Sequence, residues 1–321
     1  MVALTSTGLA DTNCRATAVN NGGVVVGESD AIDGQGGDVR RAFRWDPTVS
    51  PVAEDLGTLL PDPSNPGTFL GNSGARGINN NGWVVGFSDS PSGNRHACLW
   101  LPAPDPSTGR TIIDLGTLIP DPNALATFLG ASEANAVNDD GIIVGVSDAL
   151  DSNGQPVRRG FDWKMSDQTP RAFGTLAVQG ANVFGTSAAN AVDNQGITVS
   201  GADSFGPGGV FVTQAFRSFA GGHVIAGLPL LLAPSIVATG ISNEVPPKIV
   251  GHYGVGPSIL TARAFTHDLG AGTLTDLTGT LGFTSWVVHI ATGVNIAKRI
   301  CGIATNPLFT GTTMRAVLLS P

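Results

Sequence analysis

The sequence is poor in cysteine, tyrosine, charge and long apolar runs. It has 3 cysteines and 1 tyrosine in 321 residues, and 13% of its residues are charged. The cysteines show no C-x-x-C spacing, which argues against a zinc site. The longest apolar run, Val224–Ala233, falls short of the roughly 18 residues that span a membrane, and it contains a glycine and a proline. We therefore expect no metal, no cofactor and no membrane span.

A net positive charge and a recognisable signal-peptide pattern are also absent from this sequence. The formal net charge is −8, whereas nucleic-acid binding through phosphates favours a basic surface. Met1 is followed directly by V-A-L-T-S-T, with no basic segment and no long apolar stretch of the kind that a signal peptide contains. This leaves two alternatives, a cytoplasmic protein or a secreted protein whose signal peptide has been removed. Helical periodicity is absent too, and 44 glycines and 21 prolines indicate many short strands joined by turns.

A repeated stretch is what the sequence does contain. Residues Ala75–Ser88 read A-R-G-I-N-N-N-G-W-V-V-G-F-S, and close copies occur at Ala134–Ser147 and Ala18–Ser29. Alternating small and β-branched residues predict two strands, and the Asn-Gly pairs predict the tight turn between them. We call the strand before the turn strand a and the strand after it strand b.

Six copies of this unit follow one another along the chain. Each is marked by the residue that ends strand a, in the order Asn20, Asn79, Asn138, Asp193, Ser242 and Asn295. The anchors are separated by 59, 59, 55, 49 and 53 residues. Periods of this length with several strands each are typical of propeller blades.

Two further blocks follow strand b, and they become looser in the later copies. Strand c is the R-A-F-x-W block, as in Arg41–Trp45, and strand d is D-L-G-T-L, as in Asp55–Leu59. The last copy stops before a strand d, and a spare strand, Val2–Thr7, precedes the first copy. The sequence therefore predicts an all-β fold, a six-bladed β-propeller of four-stranded antiparallel blades. The N-terminal strand would close it by pairing into the last blade, within a single domain over residues 1–321.

These three blocks resemble the HAF-repeat family of extracellular repeat proteins. The resemblance covers nearly the whole chain and is closest in the first three copies. It implies a bacterial, secreted, β-propeller-like protein, and it implies no particular activity.

The long loops are predicted to lie on one face of the propeller. They are the b–c loops Asp30–Val39 and Asp148–Val157 and the d–a loops Leu60–Gly74 and Ile119–Glu133. Long loops on a rigid scaffold often carry binding or catalysis, and a propeller channel opens on this face. The alternative is that these loops only cap the blades.

The second residue of strand a is polar in every copy. These residues are Thr17, Arg76, Asn135, Asn190, Thr239 and Thr292. They could line the channel and bind a ligand, or they could hydrogen-bond to neighbouring blades. Arg76 is the only charge among them, and its fork of donors would suit an anionic or carbonyl-bearing ligand.

A basic residue opens strand c in five copies, and an acid follows strand b in four. Examples are the pairs Arg41 with Asp30 and His96 with Asp89. We interpret them as cross-strand structural latches, since a catalytic group seldom recurs in every blade.

Copy five departs from the pattern where V-V-G-x-S becomes I-V-G-H-Y. His252 and Tyr253 could transfer protons, with Glu28 as an acid partner, although a structural histidine is the alternative. Trp286 breaks the pattern in a d–a loop and could be a stacking platform for a sugar. Cys14 and Cys301 could form a disulfide, or both could be free thiols.

Several enzyme motifs are absent, including a G-x-S-x-G elbow, a P-loop and H-E-x-x-H. The leading hypothesis is a monomer that binds a small molecule or carbohydrate at the loop-rich face and channel mouth. One alternative is a lyase, isomerase or cyclase using acid–base chemistry there, so the question of enzyme or binding module stays open. Another is a protein-interaction scaffold.

Overall fold

The computed structural model describes residues 5–6, 13–104, 111–123, 128–219, 225–228, 235–254, 262–277, 287–306 and 314–319. The chain divides into two compact units. Unit 1 comprises Met1–Leu150 and Phe161–Ala172, and unit 2 comprises Asp151–Gly160 and Phe173–Pro321. The single domain over residues 1–321 stays a prediction.

Copy one forms a five-stranded sheet with the order β1-β5-β4-β3-β2. Its strands are β1 (Thr5–Ser6), β2 (Arg15–Val19), β3 (Val25–Ile32), β4 (Asp38–Trp45) and β5 (Val52–Asp55). Most of the predicted b–c loop is strand, because Asp30 pairs with Arg40 and Ala31 with Val39. The turn that remains spans only residues 33–37.

Copies two and three each form a four-stranded sheet in chain order. Copy two contains β6 (Ser73–Ile78), β7 (Val84–Asp89), β8 (Arg95–Trp100) and β9 (Ile112–Gly116). Copy three contains β10 (Ser132–Val137), β11 (Ile143–Leu150), β12 (Pro156–Trp163) and β13 (Arg171–Ala172). Strands a, b and c are confirmed in both copies, and strand d is confirmed in copy two. In copy three, strand d is the short β13 rather than the F-G-T-L segment, Phe173–Leu176, that follows it.

The remaining copies are less regular. A two-stranded ribbon, β14 (Val178–Gln179) and β15 (Asn182–Val183), precedes them. An eight-stranded sheet contains β16 (Ala191–Val192), β17 (Thr198–Phe205), β18 (Phe211–Ser218), β19 (Ile225–Gly227), β20 (Ser235–Ile241), β21 (Lys248–Gly254), β22 (Arg263–Asp268) and β23 (Thr273–Asp276). A three-stranded sheet contains β24 (Val287–Val294), β25 (Ile300–Thr305) and β26 (Arg315–Leu319).

The prediction of six separate four-stranded blades is wrong for the described residues, which form four sheets of four or more strands. Copies four and five share one sheet, since β19 covers only Phe216–Ser218 of β18 and Thr213 pairs with Ser235 of β20. The predicted closure is not seen either. The described part of the N-terminal strand, β1, runs parallel to β5 in the first sheet rather than joining the last copy.

A bulge in strand a explains why its second residue is polar. In copies one, two, three and five, the pairing of strands a and b shifts register at this residue, for example between Ala16 and Ala18. A bulged residue is not paired with the neighbouring strand, and its side chain points in a different direction from that of a regularly paired residue. The glycine of strand b is required beside it, since a Cβ on Gly27 would lie 2.0 Å from the carbonyl oxygen of Arg15.

The anchor asparagines hold each turn and also join it to the next copy. Asn79 Oδ1 accepts the backbone N–H of Trp83 at 2.9 Å, and its Nδ2 donates to the Asn138 carbonyl at 2.9 Å. Asn20 makes the same pair of contacts, with Val24 and with the Asn79 carbonyl. The repeated apolar–Asn step is therefore a ladder of turns between successive copies in unit 1.

The core of unit 1 lies between successive sheets. Trp100 of copy two packs with Val26, Ala42 and Leu56 of copy one, and Trp163 packs with Leu99 and Leu115 of copy two. Cys98 stands where copies one and three have phenylalanine, and it is fully buried. The aromatic end of the R-A-F-x-W block thus fills the space between neighbouring sheets.

No helix among the described residues combines the length and the apolar character that crossing a membrane would need.

Candidate functional site

The polar residues of strand a mostly bind the backbone of the next copy. Thr17 Oγ1 donates to the Ala75 carbonyl at 2.9 Å, and Asn190 Nδ2 donates to the Ala238 carbonyl at 2.9 Å. Thr239 Oγ1 donates to the Ala291 carbonyl in the same way. Thr292 donates to the Cys301 carbonyl of its own copy at 3.3 Å. These side chains act as links between strands, and Asn135 lies half-buried at the same position.

Arg76 is the exception, because its guanidinium binds two carboxylates. Its Nε lies 2.5 Å from Glu133 Oε1, and its Nη1 lies 3.2 Å from Glu28 Oε2. The guanidinium also lies 4.9 Å from the centre of the Phe87 ring. Burial lowers the pKa of Arg76, but the two glutamates outweigh that effect and raise it overall. Arg76 is therefore a fixed positive charge between two acids.

Glu28 extends this group of charges into copy one. Its Oε1 lies 3.7 Å from Arg15 Nη1 and 3.6 Å from Arg40 Nη2. Arg40 in turn binds Asp30, with 2.7 Å between Nη1 and Oδ1. We call Arg15, Glu28, Asp30, Arg40, Arg76 and Glu133 the arginine–carboxylate cluster. It contains three arginines and three acids, so its formal charges balance.

Two residues that differ from the other copies, Glu28 itself and Gly74, allow the Glu28 carboxylate to join this cluster. Glu28 occupies the position held by Phe87 in copy two and His252 in copy five. Its carboxylate lies over Gly74, where an added Cβ would be 2.7 Å from Glu28 Oε2. The glycine in strand a of copy two thus leaves room for the acid of copy one.

Adjacent arginines in β4 have different roles. Arg40 is part-exposed and joins the cluster, whereas Arg41 is buried and donates to the carbonyls of Phe69, Leu70 and Gly71 at 2.5, 3.2 and 2.6 Å. The predicted Asp30–Arg41 latch is therefore wrong by one residue, because alternate strand residues face opposite sides of the sheet. Arg41 instead holds the d–a loop in place.

A cavity of about 420 Å³ adjoins the cluster. Its polar wall is formed by Asp30, Asp38, Arg40 and Asn72, and its apolar wall by Ala31, Ile32 and Val39. Asn72 is held from two sides: its Nδ2 donates to Asp89 at 3.0 Å, and its Oδ1 accepts the N–H of Arg40 at 2.9 Å. The cavity therefore combines fixed donors and acceptors with a small apolar surface.

His252 and Tyr253 do not form a proton-transfer pair with each other. They are consecutive residues of β21, so their side chains point to opposite faces of the sheet. The Tyr253 hydroxyl donates to Asp276 Oδ2 at 2.5 Å. Burial lowers the pKa of His252, and its Nδ1 has no hydrogen-bond partner among the described residues. Glu28, proposed as an acid partner, belongs to unit 1, whereas His252 belongs to unit 2.

Another buried histidine, His289, adds little chemistry in the described part of the chain. Both ring nitrogens of His289 are bonded, to the Ala262 carbonyl at 3.0 Å and to Thr305 Oγ1 at 2.8 Å. The described residues contain no group of three or more histidines, cysteines or acids able to hold a metal. Trp286 lies outside the described residues.

Arg76 and Glu28 were both candidates from the sequence, but the ion pair between them was not predicted. Sequence reasoning missed Arg15, Asp38, Arg40, Asn72 and Glu133. Glu28 and Arg76 are charged residues at repeat positions where the other copies have uncharged residues or, in copy five, His252. This shared departure from the repeat was the sequence feature that could have indicated a common site.

No family model and no curated protein matches the chain. Among solved structures, it is similar to the β-propeller domain of the Trilobed protease from Pyrococcus furiosus. That match has a TM-score of 0.53 and 8% identity, and it covers 96% of this chain and 82% of that chain.

Two other similar structures give lower scores. A sialidase from Trypanosoma rangeli has a TM-score of 0.46 at 10% identity, covering 99% of this chain and 56% of that chain. A lectin from Aleuria aurantia has a TM-score of 0.34 at 9% identity, covering 98% of this chain and 97% of that chain. The Trilobed protease match supports the fold alone: the chain has an all-β β-propeller fold with antiparallel four-stranded blades.

Proposed function

We propose that unit 1 binds a small, uncharged polyhydroxyl ligand of the carbohydrate class. The observation that carries this proposal is the charge-balanced arginine–carboxylate cluster beside the 420 Å³ cavity. Cavities of this size, with few well-placed polar groups, are typical of small-molecule sites.

Charge balance favours a neutral ligand over an anion. Each cluster arginine lies within 4 Å of a carboxylate, so an incoming anion would compete with Glu28, Asp30 or Glu133. A sugar hydroxyl can donate to a carboxylate and accept from a guanidinium, so it can bind without breaking those pairs. The apolar wall of Ala31, Ile32 and Val39 would cover the C–H face of a sugar ring.

Arg76 has a positioning role in this proposal. It orients Glu28 and Glu133 rather than holding an anionic group itself. Thr17, Asn190 and Thr239 serve as links between copies. The site draws on copies one to three of unit 1, so His252 and Tyr253 take no part in it.

The test is calorimetric titration of the purified chain with a panel of mono- and disaccharides. Asp38→Ala removes an acceptor from the cavity wall, and we expect a loss of at least about tenfold in affinity. Asp140→Ala is the matched control, since Asp140 is an exposed aspartate in the a–b turn of copy three. Equal losses in the two variants, or no binding by any saccharide of the panel, would contradict the proposal.

We also propose that the chain is an HAF-repeat protein that works outside the cell. The support is that the repeated residues have defined structural roles, as in the Asn20 and Asn79 contacts. Fractionation of the native host tests the location. Recovery from the medium or cell surface supports the proposal, and recovery only from the cytosol contradicts it.

A further inference from the structure

In copy two, a serine is hydrogen-bonded to a histidine and the histidine to an aspartate, and none of the three belongs to the arginine–carboxylate cluster. Ser92 Oγ lies 3.2 Å from His96 Nε2, and His96 Nδ1 lies 2.9 Å from Asp114 Oδ2. Asp114 cannot donate when ionised, so His96 donates from Nδ1, and Nε2 is left to accept from the serine. This is the connectivity of a nucleophilic triad, which is recognised by geometry rather than by sequence position.

The histidine is itself a departure from the repeat. Copies one and three have Arg41 and Arg159 at this position, and both arginines bind carbonyl groups of a d–a loop. The His96 side chain is shorter than an arginine, so it does not extend as far towards the d–a loop. It is buried in an edge-to-face contact with the Phe128 ring, with 6.3 Å between the ring centres. Asp114 belongs to the repeated D-L-G-T-L block, so the histidine and the serine are what copy two adds.

The serine is exposed, and its neighbour Pro91 lines a cavity. Ser92 is exposed in the b–c turn, whereas His96 is buried. A cavity of about 480 Å³ is lined by Pro91, next to the serine, and by Asp114. The rest of its wall includes Leu59, Phe69 and Ile112. An apolar acyl group would fit against that wall, within reach of the turn.

We propose that Ser92, His96 and Asp114 form an esterase site that takes carboxylic esters with apolar acyl groups. Ser92 Oγ attacks the acyl carbon while its proton passes to His96 Nε2. The bond from the acyl carbon to the alcohol oxygen breaks, and His96 returns the proton to the departing alcohol. Water then attacks the acyl-serine through the same histidine, releasing the carboxylic acid and restoring Ser92. Asp114 holds the imidazole in the required tautomer.

Turnover is expected to be slow and limited to activated esters. In the turn, the N–H of Gly93 donates to the Ser90 carbonyl at 3.0 Å, and the N–H of Asn94 donates to Ser92 Oγ at 3.3 Å. Neither N–H points to where an oxyanion would form. Ser90 Oγ also lies 2.8 Å from Ser92 Oγ, so it competes with His96 for the serine proton.

The test has two arms, labelling by a fluorophosphonate probe with peptide mapping and hydrolysis of p-nitrophenyl butyrate. We expect the probe on Ser92. We expect Ser92→Ala to abolish both signals and Asp114→Asn to lower the rate at least about tenfold. His96→Arg restores the arginine of the other copies, so it should remove activity while the thermal midpoint stays close to that of the wild type.

Ser152→Ala is the matched control. Ser152 is exposed in the corresponding turn of copy three, where Arg159 replaces the histidine, and its Oγ accepts the N–H of Val183 at 3.1 Å. It should keep full labelling and hydrolysis. Labelling at other serines, equal loss in Ser152→Ala, or unchanged hydrolysis in Ser92→Ala would overturn the proposal, as would a folded wild type that neither labels nor hydrolyses.

Discussion

Single side chains link the copies of this repeat, and the residue that ends strand a is the clearest example. Asn20 and Asn79 each accept a backbone N–H within their own turn and donate to the next copy. In copy four the position is Asp193, which is buried and accepts the N–H of Ile197 at 2.8 Å. An ionised aspartate keeps the first contact of the asparagine but has no N–H to donate.

We predict that Asp193→Asn stabilises the protein and alters its pH dependence. Burial raises the pKa of Asp193 above its ordinary value, against the opposing effect of its backbone hydrogen bonds. The folded state therefore holds this proton more tightly than the unfolded state, and stability falls as pH rises from about 4 through the folded-state pKa. The asparagine variant should lack this fall and gain about 1 kcal/mol at pH 7.

Thermal unfolding between pH 4 and pH 8 measures this effect. Asn79→Asp is the reverse control, because it places an ionisable group at a buried asparagine of copy two, and it should lose stability as pH rises. If the Asp193→Asn variant and the wild type lose stability with rising pH at the same rate, the raised pKa of Asp193 is not the cause of that loss.

At the scale of elements, a buried arginine holds the long d–a loop of copy one. Arg41 donates to three successive carbonyls of its loop, and Thr58 Oγ1 donates to the Leu70 carbonyl at 2.8 Å. Gly57, with a φ of 71°, accommodates the Phe69 ring that closes the loop. This loop is therefore held in place by specific contacts with the first sheet and with its own residues.

We predict that Arg41→Met loosens the d–a loop of copy one. The change leaves the carbonyls of Phe69, Leu70 and Gly71 without their donor, at a cost of about 3 kcal/mol. Hydrogen exchange should quicken at amides of residues 57–73 and remain slow in β7 and β8. Arg44→Met is the control, since Arg44 forms a more exposed pair with Glu54 and should cost about 1 kcal/mol or less. Equal effects of the two variants would contradict the loop-holding role.

The strands and turns of the first three copies could be predicted because their signals are local. The Asn-Gly turns and the V-V-G strands depend on neighbouring residues. The partner of Arg41 could not be predicted, because the sequence does not show which of two adjacent arginines faces which side of β4. The contact of Arg76 with Glu133 joins residues 57 positions apart, and it depends on a bulge that no local pattern marks.

At the scale of the whole molecule, none of the three cysteines, all of which lie in described segments, forms a disulfide. Cys14 and Cys301 are free and exposed, and Cys98 is free and buried. Burial raises the pKa of the Cys98 thiol well above its ordinary value, which lowers its reactivity further. The alternative of a disulfide between Cys14 and Cys301 is therefore wrong in this structure.

We predict that two thiols of the native chain, Cys14 and Cys301, react with Ellman's reagent without prior reduction. The third, Cys98, should react only after unfolding in guanidinium chloride. Mass mapping of the modified peptides assigns the sites. A native chain that shows no reactive thiol until it is reduced would contradict the free state of Cys14 and Cys301.

The number of sheets was harder to predict than the number of copies. Six copies can be counted from their anchors, but copies four to six lack the full D-L-G-T-L strand. The short β19 leaves part of β18 open, and the next copy pairs there. Sheet boundaries therefore depend on edge pairing, which the repeat pattern does not specify.

In our proposal, the arginine–carboxylate cluster and its cavity form a ligand site. A crystal structure soaked with the saccharide that binds best in the titration tests it most directly. We predict electron density for the sugar in the cavity, with hydroxyl groups about 3 Å from Asp38 and Arg40 and a C–H face against Val39. Sugar bound elsewhere on the protein, with this cavity empty at saturating concentration, would contradict the claim.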